Sequence, residues 1–326
     1  MADNFFKRAK RVDMFVIDGQ NDFCASGSEP NDWPWPKGNT PVKGALCVPE
    51  ADQEALNVAK IINELADPAN QRRHRINKIH ASLDSHHEND GAHNNVWKDK
   101  AGNMANPFQI VSHNDVKEQN FVPTFAGGVF EGEPMSALEW ALKYTFALEE
   151  RGRNPLCLWP KHCLIGSWGQ QVYKPIMDSY SQWTSRTGAW IDWITKGQWP
   201  FTEHYSALEA DVPDPTRPET GMNAHVINDA MGADVVIWTG WAGSHCLKWT
   251  AMDGVDNFEP TPEQVAKGMK NEFITKCVFI EDASAPVGNA PGGPDFGQWR
   301  LDFLDEMANR GARVMKSAEL INKLKS

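Results

Sequence analysis

The feature that most restricts this chain is an alternation of short β-branched or aromatic runs with segments of helical period, sustained from residue 12 to residue 309. That alternation specifies a mostly parallel sheet covered by helices, because parallel neighbours need a long crossover and a helix supplies it. Residues 12–18 form the first expected strand, ending in polar residues. From 50 to 66 the residues Ala55, Val58, Ala59, Ile62 and Leu65 recur at helical spacing, and Pro68 stops the run. Further strands are expected at 76–83, 190–195, 234–239 and 277–280, with helices at 134–150 and 301–309, the last ended by Gly311. After the strand at 234–239 the turn Gly240-Trp241-Ala242-Gly243 leads into a helix starting near Ser244, with Cys246 in its first turn.

Three stretches break the alternation, near 26–43, 87–155 and 252–275, and are expected as insertions in one α/β domain spanning 1–326. The chain has 14 tryptophans, many beside Pro or Gly, including a cluster at 31–36. They fit aromatic loops closing a small pocket and equally fit structural packing. The net charge of -11, with no dense basic run, makes nucleic acid a poor partner, since an acidic surface repels phosphate. No stretch of about 18 uncharged apolar residues occurs, so no membrane span is expected. Six scattered cysteines without a CxxC pair point to reduced thiols and a cytoplasmic location.

In a parallel sheet the loops at the strands' carboxyl ends meet over a crevice where ligands bind. Four chemical landmarks fall at such ends: Asp18, the pair Asp84 and His86, Lys196, and Cys246. A thiol at a helix amino terminus is pushed toward thiolate, and free N–H groups of a preceding Gly-containing turn can receive an oxyanion. A buried, inert cysteine is the plain structural alternative. Asp84 and His86 share a strand face, and His162 is the best candidate to join them. Carboxylate with imidazole suits zinc first, iron(II) or manganese(II) next. His93 is a candidate fourth ligand, with His87 and His113 also available.

Six segments, in order, resemble the isochorismatase-like cysteine hydrolases, most of all the nicotinamidases. VDMFVIDGQNDF (12–23) resembles the opening strand and D-x-Q-N-D-F; GALCVPEAD (44–52) resembles the segment that follows it; LDSHH (83–87) resembles the metal pair. LWPKHCLIGSWG (158–169) is similar to WPxHC-x-x-G-T-x-G, TKGQWPFTEHYSAL (195–208) to the lysine segment, and TGWAGSHCLKWTAMD (239–253) to the nucleophile segment. The resemblance implies a three-layer fold and a catalytic triad of Asp18, Lys196 and Cys246. It implies an oxyanion hole from the backbone of Ala242 and Cys246, pocket walls at Phe23 and Trp159, and a non-prolyl cis peptide before Ala242. Asp84, His86 and His162 would bind the metal; His93 lies seven residues after His86, where the family spacing is closer to six. Lys174 is a local rival to Lys196, but it sits six residues before Tyr180 and lacks the following glycine, whereas Lys196 precedes Tyr205 by nine and is followed by Gly197.

The expected activity is hydrolysis of nicotinamide to nicotinate and ammonia through a thioacyl enzyme, as part of pyridine nucleotide salvage. Another small amide is the first alternative; a metallohydrolase without a covalent step and a non-enzymatic small-molecule binder are the others. A homo-oligomer is expected by analogy with the family.

Overall fold

The computed structural model describes residues 5–27, 42–71, 75–289 and 293–325. Its centre is a six-stranded sheet, all neighbours parallel: β1 (Arg11–Ile17), β2 (Arg75–Asp84), β3 (Ile191–Lys196), β4 (Val235–Gly240), β5 (Cys277–Ile280) and β6 (Arg313–Met315), in spatial order β6-β5-β4-β1-β2-β3. β4 is buried at every position and β1 at all but its first, as expected of central parallel strands covered on both faces. An aromatic row fixes the register across four strands. Phe279 stacks on Trp238, Trp238 on Phe15 at 4.2 Å, and Phe15 on His80 at 4.5 Å, each a cross-strand neighbour of the next.

Helices cover both faces, giving the expected three layers. On one side α1 (Ala51–Leu65) packs against α3 (Lys174–Thr187) and α7 (Ser317–Lys325). On the other, α5 (Cys246–Asp256) meets Ile227 of α4 (Ala224–Met231) at Gly254 and is tied to α6 (Phe296–Arg310) by the Arg310–Asp256 ion pair. Gly311 ends α6 in the left-handed region, φ 116°, as the sequence implies.

The stretch at 87–155 carries more order than its sequence suggests. Around α2 (Ala137–Glu150) it adds short antiparallel pairs, Trp97–Asp99 with Phe121–Pro123, Gly127–Phe130 with Glu133–Ser136, and Gln109–Val111 with Leu156–Leu158. These enclose a second apolar cluster built on Trp97, Val111, Phe130, Trp140, Tyr144 and Leu158. The helix expected at 134–150 therefore begins at Ala137, behind a strand and a Ser136/Glu139 capping box. At 252–275 the chain completes α5 and adds two short helices, Pro262–Ala266 and Glu272–Lys276. The expected insertion at 26–43, with its tryptophan cluster at 31–36, lies almost entirely outside the described residues. Elsewhere the tryptophans are mainly packing: Trp97, Trp183, Trp238 and Trp241 are fully buried. Among the described residues no helix is long and apolar enough to cross a membrane, and all six cysteines are free.

Candidate active site

The sheet register sets the site. β2 and β3 pair Asp84 with Lys196 at their last residues, and β1 and β4 pair Ile17 with Gly240. Asp18, Asp84 and Lys196 thus emerge side by side, and the turn after β4 delivers Cys246 above them. Gly240 is required there: its φ is 126°, and a Cβ would lie 2.2 Å from the Ile17 carbonyl oxygen. The peptide between Trp241 and Ala242 is cis.

Lys196 is the hub. Its buried ammonium lies 3.0 Å from Asp18 Oδ2, 3.0 Å from Asp84 Oδ1 and 3.6 Å from Cys246 Sγ. Ser82 Oγ donates to Asp18 Oδ1 at 2.6 Å and accepts from the Asp18 N–H. Gln20 locks β1 to β2, donating to the Asp84 carbonyl and accepting the Asp84 N–H, both at 2.8 Å. Burial pushes the Asp18 carboxyl above its ordinary value, against the pull of Lys196. Burial also pushes the Cys246 thiol well up, with Lys196 opposing and Asp18 and Asp84 adding to it. Burial disfavours the Lys196 ammonium, but its two carboxylates more than offset this and hold its pKa well above the usual lysine value. Burial thus works against the thiolate at Cys246, and Lys196 works for it.

Cys246 opens α5 as its first helical residue, so its N–H has no acceptor within the helix. The Ala242 N–H has no hydrogen-bond partner among the described residues. Both sit on one wall of a pocket whose other walls include Phe23, Trp159, Tyr205, His245 and Val287. Trp159 is fixed by its Nε1–H, which donates to the Tyr205 hydroxyl at 3.0 Å. Phe23 meets the His162 ring edge-on.

Next to Asp84 the three histidines converge. His86 Nε2 lies 3.0 Å and His162 Nε2 3.3 Å from Asp84 Oδ2, and ligand atoms of His86, His93 and His162 lie within 4.8 Å of one another. The far nitrogens are held by acceptors, His86 Nδ1 by Asp90 at 2.9 Å and His162 Nδ1 by the Pro160 carbonyl at 2.9 Å, which aims both Nε2 atoms at the same point. His93 is fully buried with both ring nitrogens unpartnered, an expensive state that a metal ion would relieve. The donor set, one carboxylate and three imidazoles, fits zinc, iron(II) or manganese(II). A second cluster, Asp13, His80 and Asp229, also has the spacing for a cation. There Arg11 and Lys78 already pair with the aspartates, so its charge is compensated from within.

The rivals fall elsewhere. Lys174 is half exposed and paired with Asp178. His87 is exposed, and His113 sits against Thr145 of α2. Sequence reasoning missed the supports Ser82, Gln20 and Asp90. It also missed Glu203, a buried acid on the pocket wall. Gln20 is the fixed glutamine of the D-x-Q-N-D-F pattern, but its role in tying β1 to β2 is not legible there; nothing in the spacing around Glu203 marks it.

No protein-family model matches the chain, and no curated protein is similar to it in sequence. Solved structures are similar. Its three-layer α/β fold with a mostly parallel central sheet is consistent with the isochorismatase-like architecture. An Acinetobacter baumanii nicotinamidase/pyrazinamidase superposes with a TM-score of 0.53 at 19% identity, over 96% of this chain and 100% of that one. The yeast nicotinamidase Pnc1p, bound to the inhibitor nicotinaldehyde, gives 0.52 at 16% identity, over 94% and 99%. At such identities the likeness is one of fold.

Proposed function

We propose that this chain is a cysteine-dependent amidohydrolase acting on a small carboxamide, with nicotinamide the first candidate and nicotinate and ammonia the products. One observation carries it: Asp18, Lys196 and Cys246, far apart in sequence, share one buried contact network, and Cys246 opens onto a pocket. In the proposed cycle Asp18 takes the thiol proton while the Lys196 charge favours the thiolate. Cys246 Sγ attacks the amide carbon, and the oxyanion faces the N–H groups of Ala242 and Cys246. Asp18 returns the proton to the departing ammonia, then takes one from the water that hydrolyses the thioester. Asp84, His86, His162 and His93 would hold a divalent ion, zinc first, which when bound supplies a Lewis-acid point that orients a ring nitrogen. The likeness to two nicotinamidases supports the choice of substrate.

The whole chain is read as one catalytic domain, with the second apolar cluster an insertion against the site. Six free cysteines agree with a cytoplasmic setting. Trp190 and Trp193, exposed at the edge strand β3, are the surface on which a homo-oligomer would first be sought. The test is Cys246→Ala: nicotinamide turnover falls below detection while circular dichroism and metal content stay at wild-type levels. Full turnover by the variant refutes covalent catalysis and leaves metal-centred hydrolysis.

A further inference from the structure

The pocket holds one acid that the proposed cycle does not use. Glu203 lines it together with Cys246 and Ala242, is 5% exposed, and has Oε2 without any partner. The side chain is firmly placed. Its Oε1 accepts the His204 N–H at 2.9 Å, and the Glu203 N–H donates to the Tyr144 hydroxyl at 2.9 Å. Burial, partly countered by His86, raises its carboxyl to about 7. Leaving a carboxyl oxygen buried and unsatisfied is costly unless a ligand satisfies it.

Most of the other side-chain acceptors on that wall are engaged. Asp84 Oδ1 accepts from Lys196, and Asp84 Oδ2 faces two histidines. The Tyr205 hydroxyl accepts from Trp159, and His245 Nδ1 is engaged by Ser244 Oγ. A primary carboxamide whose oxygen turns toward Ala242 and Cys246 presents its NH2 to the remaining wall, and that group needs an acceptor. Glu203 Oε2 is a buried, unpartnered side-chain acceptor on that wall.

We propose that Glu203 is a specificity-determining residue that accepts an N–H of the scissile carboxamide, so that the site selects primary amides over esters of the same acid. This inference rests on the proposed amidase chemistry and deepens it. An ester offers no N–H and gains nothing from Glu203, although its carbonyl is intrinsically the more reactive. The same contact turns the amide so that its carbonyl oxygen meets the backbone donors.

Glu203→Gln is the informative substitution because it is isosteric. The His204 N–H already claims Oε1, so the glutamine oxygen settles there and its NH2 faces the pocket, donor against donor. The measurement is kcat/KM for nicotinamide and for methyl nicotinate, with metal content determined in parallel. The expected result is a loss of about ten- to a hundredfold on the amide, with the ester within about twofold of wild type and metal content unchanged. Glu203→Leu should show the same split. Equal losses on both substrates, or no loss on either, overturn the proposal while leaving a Cys246-dependent hydrolase intact. A wild-type protein that turns over neither substrate, or a Cys246→Ala variant that turns over both, instead overturns the amidase chemistry and this inference with it.

Discussion

Replacing Lys196 by methionine removes the cation that three groups share. Its Nζ lies 3.0 Å from each of two buried carboxylates, and at an effective dielectric constant of about 20 each contact is worth roughly 5 kcal/mol before desolvation is counted. Desolvating the ammonium cancels much of that, but the substitution leaves Asp18 and Asp84 without their shared cation, with only Ser82 on Asp18 and the histidines on Asp84 to offset the two charges. Breaking a buried pair in this way costs about 3–5 kcal/mol. Urea unfolding of metal-free protein at pH 7 should show a loss of that size. The pH dependence has a definite sign. Burial raises the Asp18 pKa in the folded protein, and loss of Lys196 raises it further. A carboxyl with a raised folded pKa penalises the fold increasingly as pH climbs above its unfolded value of about 3.9, so the Lys196→Met deficit should shrink on acidification. Adding Asp18→Asn should recover part of the loss at pH 7. A deficit below about 1 kcal/mol, the range of exposed pairs, or one that grows toward low pH, would refute the buried-hub account.

Other consequences are accessible to direct measurement. Asp90→Ala frees the His86 ring, and metal affinity by competition with a chelator should fall about 10- to 100-fold, with a smaller change in stability of the metal-free protein. Loss of metal from His93→Ala on dialysis, while wild type retains it, would place His93 among the ligands; equal retention would exclude it. Gly240→Ala puts a Cβ against the Ile17 carbonyl at a φ of 126°, so thermal unfolding should show destabilisation of more than about 2 kcal/mol; a neutral result would contradict the strand-to-turn geometry. Glu54, raised from 4.5 to about 7 by burial, accepts the Ala285 N–H, and the Ala285 carbonyl accepts from Gly243 in the turn before Cys246. Because the folded pKa is raised, stability should fall by up to about 3 kcal/mol as pH rises from 4.5 to 7, a slope that Glu54→Gln should flatten.

The alternation of strand and helix patterns was enough to set the α/β class and the placement of β1, β2, β3, β4 and β5, because a central parallel strand must be apolar on both faces and its crossover helix on one. The helices α3, α4 and α7 and the last strand β6 escaped notice. α3 and α7 are mostly polar along their length although each keeps an apolar stripe, such as Ile176, Tyr180 and Trp183 in α3, while α4 has only eight residues and β6 three. Candidate site residues could be picked out where a chemically unusual side chain lies at or just beyond a strand's carboxyl end: Asp18, Asp84, His86, Lys196 and Cys246. His93 carried no such mark, since seven residues of loop separate it from His86, and only the folded loop settles how near two such points lie. Order within 87–155 was hidden for a related reason. Apart from α2, which its helical period announces, its apolar residues pack across short antiparallel pairs, so their pattern is spatial and has no sequence period. Glu203 shows the limit most clearly, because nothing in TKGQWPFTEHYSAL distinguishes a solvated glutamate from a buried one. Its burial and its unpartnered oxygen are properties of packing, which depend on segments more than a hundred residues away.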